Sequence, residues 1–208
     1  MFRFDAMLAF RSMGFAMPAA VLAGGASRRM GLSKAALPYG RSTLLAHQTG
    51  RLAELFEEVL AVAKESPVFD VGPARVVLDK ASERAPIHGV LAALEEVEDR
   101  VFLLAVDLPL LAPAVIAEIA GRGLASRAPA LLPRADGLLQ PLAAVWCRSV
   151  LPLARARIAR GELSLHGLAE EAGAEILEEA DWRPLDPSGN SFANVNTIEA
   201  YAAARERG

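Results

Sequence analysis

The segment AAVLAGGASRRMGLSK, residues 19–34, opens with five apolar residues and then becomes glycine-rich and basic. An apolar run of this length that ends at glycine predicts a buried parallel strand over 19–23, followed by a loop. The adjacent Gly24 and Gly25 allow the backbone to turn and to approach a ligand without a Cβ clash. Consecutive N–H groups in such a loop can form a concave anion site. The segment therefore predicts a strand that leads directly into a candidate binding loop.

Strand-like and helix-like segments alternate along the rest of the chain. The further predicted strands are 58–63, 74–78, 101–106, 129–132, 140–146 and 175–177. The first predicted helix opens at Ser42-Thr43-Leu44-Leu45, with Ser42 or Thr43 as cap, and runs to about Leu55. The other predicted helices are 87–95, one starting at Pro113, 149–160, 164–171 and 197–205. Asp136-Gly137 is a turn signal. This alternation predicts an α/β fold with a doubly wound, mostly parallel sheet, whose ligands bind beyond the carboxyl ends of the strands.

The length of 208 residues indicates a single domain, which we place at 17–208 because Met17-Pro18 directly precedes the first strand. Residues 1–16 are apolar and aromatic, but Arg11 interrupts the run that a signal peptide would need. We interpret them as a flexible N-terminal extension or the product of an upstream start.

Charge and cysteine content exclude several classes of protein. The net charge is −3, from 22 basic and 25 acidic residues, and no basic patch or tail favours a nucleic-acid partner. No apolar run approaches the roughly 20 residues that span a bilayer, so no membrane partner is predicted. The single cysteine, Cys147, cannot form an internal disulfide and is interpreted as a small buried apolar residue. These features predict a cytoplasmic protein.

The basic residues of the first loop are candidates for phosphate binding. Arg28 can grip phosphate oxygens with a planar fork, and Lys34 can act as a point charge. The loop matches neither the P-loop nor the Gly-x-Gly-x-x-Gly pattern, and a plain glycine turn with solvated basic residues is the alternative. The position directly after a buried strand favours phosphate binding.

Two aspartates stand at predicted strand ends. Asp107 follows the most apolar strand, where it could ligate a divalent metal that bridges to phosphate oxygens. The alternatives are that it caps the helix at Pro113 or forms an Asx-turn before proline. Asp79 also ends a strand and, on its position alone, is interpreted as a turn residue. The three histidines are far apart and show no metal-ligand spacing.

At this point the chain resembles the molybdenum cofactor guanylyltransferases, whose first loop reads Leu-Ala-Gly-Gly-x-Ser-x-Arg-Met-Gly-x-x-Lys. Residues 22–34 match every fixed position. The other matches follow in the family's order: Asp79, Ala85-Pro86-Ile87-His88-Gly89, Asp107-Leu108-Pro109, Gln140-Pro141-Leu142 and Asn194-Val195-Asn196-Thr197. Together they extend over nearly the whole chain. The resemblance implies a single-domain, Rossmann-like fold of the nucleotide-diphospho-sugar transferase type.

The resemblance also implies an activity, the transfer of GMP from GTP to molybdopterin, or the molybdenum cofactor, with release of pyrophosphate. It implies Mg²⁺ as the metal, ligated by Asp107. The implied catalytic residues are Arg28, Lys34 and Asp107. The implied GTP-binding residues are Leu22, Ala23, Gly24, Gly25, Lys34, Asp79 and Asp107, and the implied pterin-binding residues are Gly89, Asn194 and Asn196. The resemblance also implies further partners, which are other cofactor-biosynthesis proteins and recipient molybdoenzymes.

Two departures from the family pattern affect this interpretation. The family often has Gly-Pro-Leu-x-Gly where this chain has Ala85 at the first position and Ile87 at the third. Some members place a nucleotide-contacting asparagine at the end of the second strand, where Val62 or Ala63 falls here.

Three alternative functions stay open. They are a cytidylyltransferase for the same pterin, a transferase for another phosphorylated acceptor, and a nucleotide-binding module without catalysis. The pair Gly24-Gly25 favours guanine, because the related cytidylyltransferases usually read Leu-Ala-Ala-Gly. The presence of Asp107, Asn194 and Asn196 argues against a silent module.

Overall fold

Ten strands lie in the part of the chain that the computed structural model describes, residues 14–23 and 33–195. The central ones are short apolar runs that are buried along their whole length, as expected for strands covered on both faces. The strands are β1 Ala19–Leu22, β2 Pro38–Tyr39, β3 Ser42–Thr43, β4 Val59–Ala63, β5 Arg75–Leu78, β6 Arg100–Ala105, β7 Ala130–Ala135, β8 Leu138–Leu139, β9 Ala143–Cys147 and β10 Glu175–Leu177.

The main sheet has the strand order β10-β7-β9-β6-β1-β4-β5, with β8 paired to β7, while β2 and β3 form a separate hairpin. Strand β1 pairs in parallel with β4 on one side and with β6 on the other. Strand β9 runs antiparallel to both β6 and β7. From β1 the chain proceeds to β4 on one side, and from β6 it proceeds to the opposite side. This reversal places a topological switch point between β1 and β6, where α/β sheets bind ligands.

Helices cover both faces of the sheet. They are α1 Leu44–Ala53, α2 Pro86–Glu95, α3 Pro113–Ala125, α4 Leu151–Ala159, α5 Leu165–Ala172 and the short α6 Glu179–Trp182. Alternate residues of β1 face opposite sides, so Val21 lies in a core with α1 and α3, and Leu22 in a core with α2, α4 and α5. The predicted doubly wound, mostly parallel sheet is therefore confirmed.

Local signals in the sequence account for several element boundaries. Thr43 caps α1, since its side chain accepts a hydrogen bond from the backbone N–H of Ala46 at 3.0 Å. Asp136 and Gly137 both have positive φ, 49° and 77°, and form the two-residue turn between β7 and β8. Strand β9 begins only at Ala143, later than the predicted 140, because the residues before it make a turn from Gln140 O to the N–H of Ala143.

Close packing on β9 requires a glycine in α3. A Cβ at Gly123 would lie 2.4 Å from Cγ2 of Val145, a residue in the middle of that strand. The helix therefore sits directly against the sheet at this point. Any larger residue here would force the helix and the strand apart.

The start of the described chain joins the core. Phe15 is 2% exposed, its ring lies 5.2 Å from the tilted ring of Phe56, and the backbones of the two residues form an isolated β-bridge. The boundary between 16 and 17 stays a prediction, and the predicted helix 197–205 lies outside the described residues. Within 14–23 and 33–195, no helix is long and apolar enough to cross a membrane.

Candidate active site

Backbone hydrogen bonds bring the predicted site residues to one edge of the sheet. The N–H of Ala23 donates to Val62 O at 2.9 Å, and the N–H of Val106 donates to Leu22 O at 3.3 Å. On the far side of β4, the N–H of Asp79 donates to Ala63 O at 2.8 Å. The carboxyl ends of β6, β1, β4 and β5 therefore lie side by side, in that order.

The pair Lys34 and Asp107 lies at the switch point. Lys34 begins a short 3-10 turn just after the first loop, and Asp107 lies two residues beyond β6. Lys34 Nζ is 3.4 Å from Asp107 Oδ2, and the two side chains are 16% and 25% exposed. Both charges are therefore partly shielded yet reachable from solvent. A cation and a carboxylate at this spacing could receive a phosphate and its counter-ion together.

Asp107 does not cap the following helix. The N-cap of α3 is Ala112, whose backbone N–H donates to Ser191 Oγ at 3.1 Å. The alternative interpretation of Asp107 as a helix cap is therefore wrong, and its carboxylate stays available at the sheet edge.

A half-buried arginine in α1 holds the loop that carries Asp107. Arg51 donates to Pro109 O at 2.6 Å and to Leu111 O, and also to Gln48 Oε1 at 3.2 Å. Burial lowers the pKa of the guanidinium from its ordinary value. Its charge satisfies two carbonyls of an irregular segment between β6 and α3.

Replacing Arg51 should loosen this loop. We expect Arg51→Met to lower the free energy of unfolding by about 2–4 kcal/mol, because two carbonyls lose a charged donor. The melting temperature should fall by about 5–15 °C. We expect kcat to fall about 10- to 100-fold as Asp107 shifts. Calorimetry and steady-state kinetics measure both effects. Arg155→Met, which removes a guanidinium 60% exposed on α4, is the matched control. Equal melting temperatures and kcat for the two variants would contradict this role of Arg51.

The predicted pterin segment also reaches Asp107. The backbone N–H of Val195 donates to Asp107 O at 2.9 Å, which places Asn194 beside the metal candidate. The preceding turn is organised by Asp186, whose carboxylate accepts from Ser188 Oγ at 2.7 Å, from Gly189 N at 3.1 Å and from Ser191 N at 2.9 Å. The C-terminal part of the described chain therefore packs onto the Asp107 loop.

The Asp186 turn should make stability depend on pH. Burial alone raises the pKa of this carboxyl, but the hydrogen bonds from Ser188, Ser191 and Gly189 outweigh burial and leave the pKa below its ordinary value. A lowered folded-state pKa contributes stability that is present above the unfolded value of about 3.9 and is lost as pH falls through the folded value.

We expect Asp186→Asn to cost about 1–2 kcal/mol at pH 7 and less at pH 3, which lies below the unfolded-state value, so that the wild type has already lost part of the stability that the lowered pKa contributes. Urea unfolding at the two pH values measures the difference. Asp136→Asn is the control, because Asp136 is exposed and asparagine tolerates its positive φ. A cost for Asp186→Asn that is the same at both pH values would contradict the stated origin of the pH dependence.

Asp79 forms the predicted turn and also an ion pair. Its Oδ1 accepts from the N–H of Ala81 at 3.0 Å, which is the turn that its position predicted. Its Oδ2 lies 2.8 Å from Nζ of Lys64, the residue after β4, and the Asp79 side chain is only 8% exposed. Nothing in the local sequence pointed to Lys64.

Gly89 lies against another predicted site residue. It is in the first turns of α2, and a Cβ at this position would lie 2.9 Å from Cδ2 of Leu22. The helix therefore approaches the end of β1 closely. Whether Gly89 binds the pterin stays a prediction.

Comparison with known proteins now identifies the family. A model described as the MobA-like NTP transferase domain matches residues 19–175, well over half of the chain. The chain belongs to the MobA-like NTP transferase family. The molybdenum cofactor guanylyltransferase of Syntrophotalea carbinolica is 29% identical over 191 residues, 91% of each chain. A probable molybdenum cofactor guanylyltransferase of Mycobacterium tuberculosis is 32% identical over 90% of this chain and 92% of the relative.

A solved structure supports the fold of this MobA-like chain. Molybdopterin-guanine dinucleotide biosynthesis protein A from Archaeoglobus fulgidus superposes with a TM-score of 0.79 at 23% identity, over 92% of this chain and 98% of that one. The predicted fold type, family and enzyme class, a nucleotidyltransferase, are therefore confirmed.

Part of the predicted MobA-like site lies outside the described residues. Gly24, Gly25 and Arg28 fall between 23 and 33, and Asn196 follows 195. Their roles stay predictions. The described residues that the structure does gather at the sheet edge are Leu22, Ala23, Lys34, Asp79, Gly89, Asp107 and Asn194.

The described acidic residues suit a metal that arrives with phosphate. Within 14–23 and 33–195, no three His, Cys, Asp or Glu side chains converge as a protein-only metal cage. Mg²⁺ is commonly held by one or two carboxylates together with substrate phosphates. The partly exposed carboxylate of Asp107, beside a lysine, fits that kind of site.

Proposed function

We propose that this chain transfers GMP from GTP to molybdopterin or the molybdenum cofactor and releases pyrophosphate. The observation that carries this function is the Lys34–Asp107 pair at the switch point, within a chain whose relatives are named molybdenum cofactor guanylyltransferases. A phosphate-binding cation and a metal-binding carboxylate are the charges that nucleotidyl transfer needs at one place.

In the proposed complex, GTP lies across the strand ends. Asp79 and Asp107 follow β5 and β6, which are three strand intervals apart, about 14 Å at the usual spacing. We assign the nucleoside to the Asp79 side, with Leu22 and Ala23 lining it, and the triphosphate to the Lys34–Asp107 side. Gly24, Gly25 and Arg28 of the first loop complete the phosphate site in this assignment. Gly89, Asn194 and Asn196 are assigned to the pterin.

The reaction requires positioning and electrostatic stabilisation more than acid–base chemistry. The acceptor is a phosphate monoester and is already anionic, so its attack on the α-phosphorus of GTP needs no strong base. Lys34, with Arg28, binds and stabilises the departing pyrophosphate, and Asp107 holds the metal. Mg²⁺, the proposed metal, supplies charge neutralisation at the phosphate oxygens. Lys34 Nζ and Asp107 Oδ2 lie 3.4 Å apart, so the two charges are already together at the switch point.

The proposed substrates are GTP and molybdopterin or the molybdenum cofactor, and the proposed compartment is the cytoplasm. A single cysteine, 7% exposed and with its pKa raised by burial, suits a reducing compartment. Other cofactor-biosynthesis proteins and recipient molybdoenzymes remain proposed partners.

Pyrophosphate release with a panel of nucleotides tests this function. Purified protein is incubated with Mg²⁺, molybdopterin and GTP, ATP, CTP or UTP in turn. We expect release with GTP, dependent on both metal and acceptor. Release with CTP alone would overturn the base assignment and favour the cytidylyltransferase. Binding of GTP with no release by folded protein would favour the catalytically silent module.

A further inference from the structure

Lys64 makes three polar contacts with one loop. It is the residue after β4, and its Nζ lies 2.8 Å from Asp79 Oδ2, 2.8 Å from Ala81 O and 2.6 Å from Glu83 O. An ammonium group has three N–H donors, so these three acceptors use all of them. Its side chain is 20% exposed.

The loop that Lys64 holds connects β5 to α2 and has no regular secondary structure between Asp79 and Ala85. Carbonyls in such a segment need donors from elsewhere in the protein. Lys64 supplies donors to two of them, while Asp79 Oδ1 is tied to the N–H of Ala81. Both oxygens of the Asp79 carboxylate are therefore fixed in direction by this arrangement.

We propose that Lys64 is a positioning residue of the nucleotide site. It orients the Asp79 carboxylate and holds the loop before α2 in place, and it does not itself contact the nucleotide. This role rests on the proposed function, in which Asp79 faces GTP. It also fits a departure in this sequence, since Val62 or Ala63 stands where some family members have a nucleotide-contacting asparagine. In this chain Lys64, directly after β4, acts on the nucleotide through Asp79.

The geometry disfavours direct phosphate binding by Lys64. To reach a phosphate, the ammonium group would have to leave three acceptors, one of them a carboxylate that is almost fully buried. Leaving that carboxylate without its cation is costly. Lys34, in contrast, is already at the Asp107 side of the site.

A double-mutant cycle on GTP kinetics separates the two roles. We expect Lys64→Met to raise KM for GTP about 10- to 100-fold, with kcat changed less than about threefold, because charged hydrogen bonds are lost from a binding group. The double variant Lys64→Met/Asp79→Asn should have the KM of Asp79→Asn alone, within about threefold. If the KM increases of the two single variants multiply in the double variant, Lys64 acts on the nucleotide independently of Asp79, and the proposal is overturned. Lys80→Met, which removes an exposed lysine next to Asp79 in sequence, is the charge-matched control with an unchanged KM.

Hydrogen exchange tests Lys64 independently of turnover. In Lys64→Met the amide of Ala81, which bonds Asp79 Oδ1, should exchange at least about tenfold faster than in the wild type or in Lys80→Met. Faster exchange in a protein that shows no GTP-dependent pyrophosphate release would contradict the proposed function and would leave the role of Lys64 in holding Asp79 intact. Unchanged exchange in an active enzyme would overturn the role of Lys64 alone.

Discussion

Asp107→Ala should reduce turnover by at least about 10³-fold while the protein stays folded. The carboxylate is the one side chain assigned to hold the metal at the phosphates, and alanine offers no replacement ligand. Its side chain is 25% exposed and its only described ionic partner is Lys34 at 3.4 Å, so its removal should cost stability little, about 1 kcal/mol or less. Pyrophosphate release at saturating GTP, together with the melting temperature, measures both quantities.

The matched control for Asp107→Ala lies at the opposite end of the same strand. Asp99 is 72% exposed and pairs with Arg100 at the amino end of β6. We expect Asp99→Ala to have wild-type kcat. Substantial turnover by folded Asp107→Ala, within tenfold of this control, would remove Asp107 from the mechanism.

Lys34→Met should lower kcat/KM for GTP by about 10²–10³-fold, since it removes a positive charge from the place where pyrophosphate charge develops. Methionine keeps much of the length and apolar stem of lysine, so the 3-10 turn at Lys34–Ala36 should persist. We expect the loss to fall on kcat as well as on KM, because the leaving group is stabilised most in the transition state.

Arg41→Met is the control for Lys34→Met. Arg41 is exposed in the turn between β2 and β3, a few residues further along the chain, and has no assigned role. Its substitution removes the same charge from the same region and should leave kcat/KM within about twofold. Equal kcat/KM values for the two variants would show that Lys34 contributes only to the overall positive charge of the region, and would contradict its role at the departing pyrophosphate.

The sequence predicted the strand ends well, because each central strand is an apolar run that stops at a polar or glycine residue. Asp79 and Asp107 were located in this way, and the structure places both at one edge of the sheet. The strand order was less accessible. The antiparallel insertion of β9 between β6 and β7 depends on long-range pairing that no local pattern encodes.

The supporting residues could not be found from sequence, since their partners are remote. Arg51 bonds carbonyls 58 and 60 residues further along the chain, and Lys64 bonds carbonyls 17 and 19 residues away. Backbone carbonyls carry no side-chain signature, so both residues read as ordinary surface cations. Ser191, whose hydroxyl accepts from the backbone N–H of Ala112 across 79 residues, was missed for the same reason.

Label transfer from GTP tests the central claim most directly. GTP that carries ³²P at the α-phosphate is incubated with Mg²⁺, molybdopterin and the enzyme, and the products are separated by chromatography. Nucleotidyl transfer predicts that the label moves to the pterin product in a one-to-one ratio with released, unlabelled pyrophosphate. Label that stays in GTP, or that appears in GMP or GDP without a labelled pterin, would contradict it.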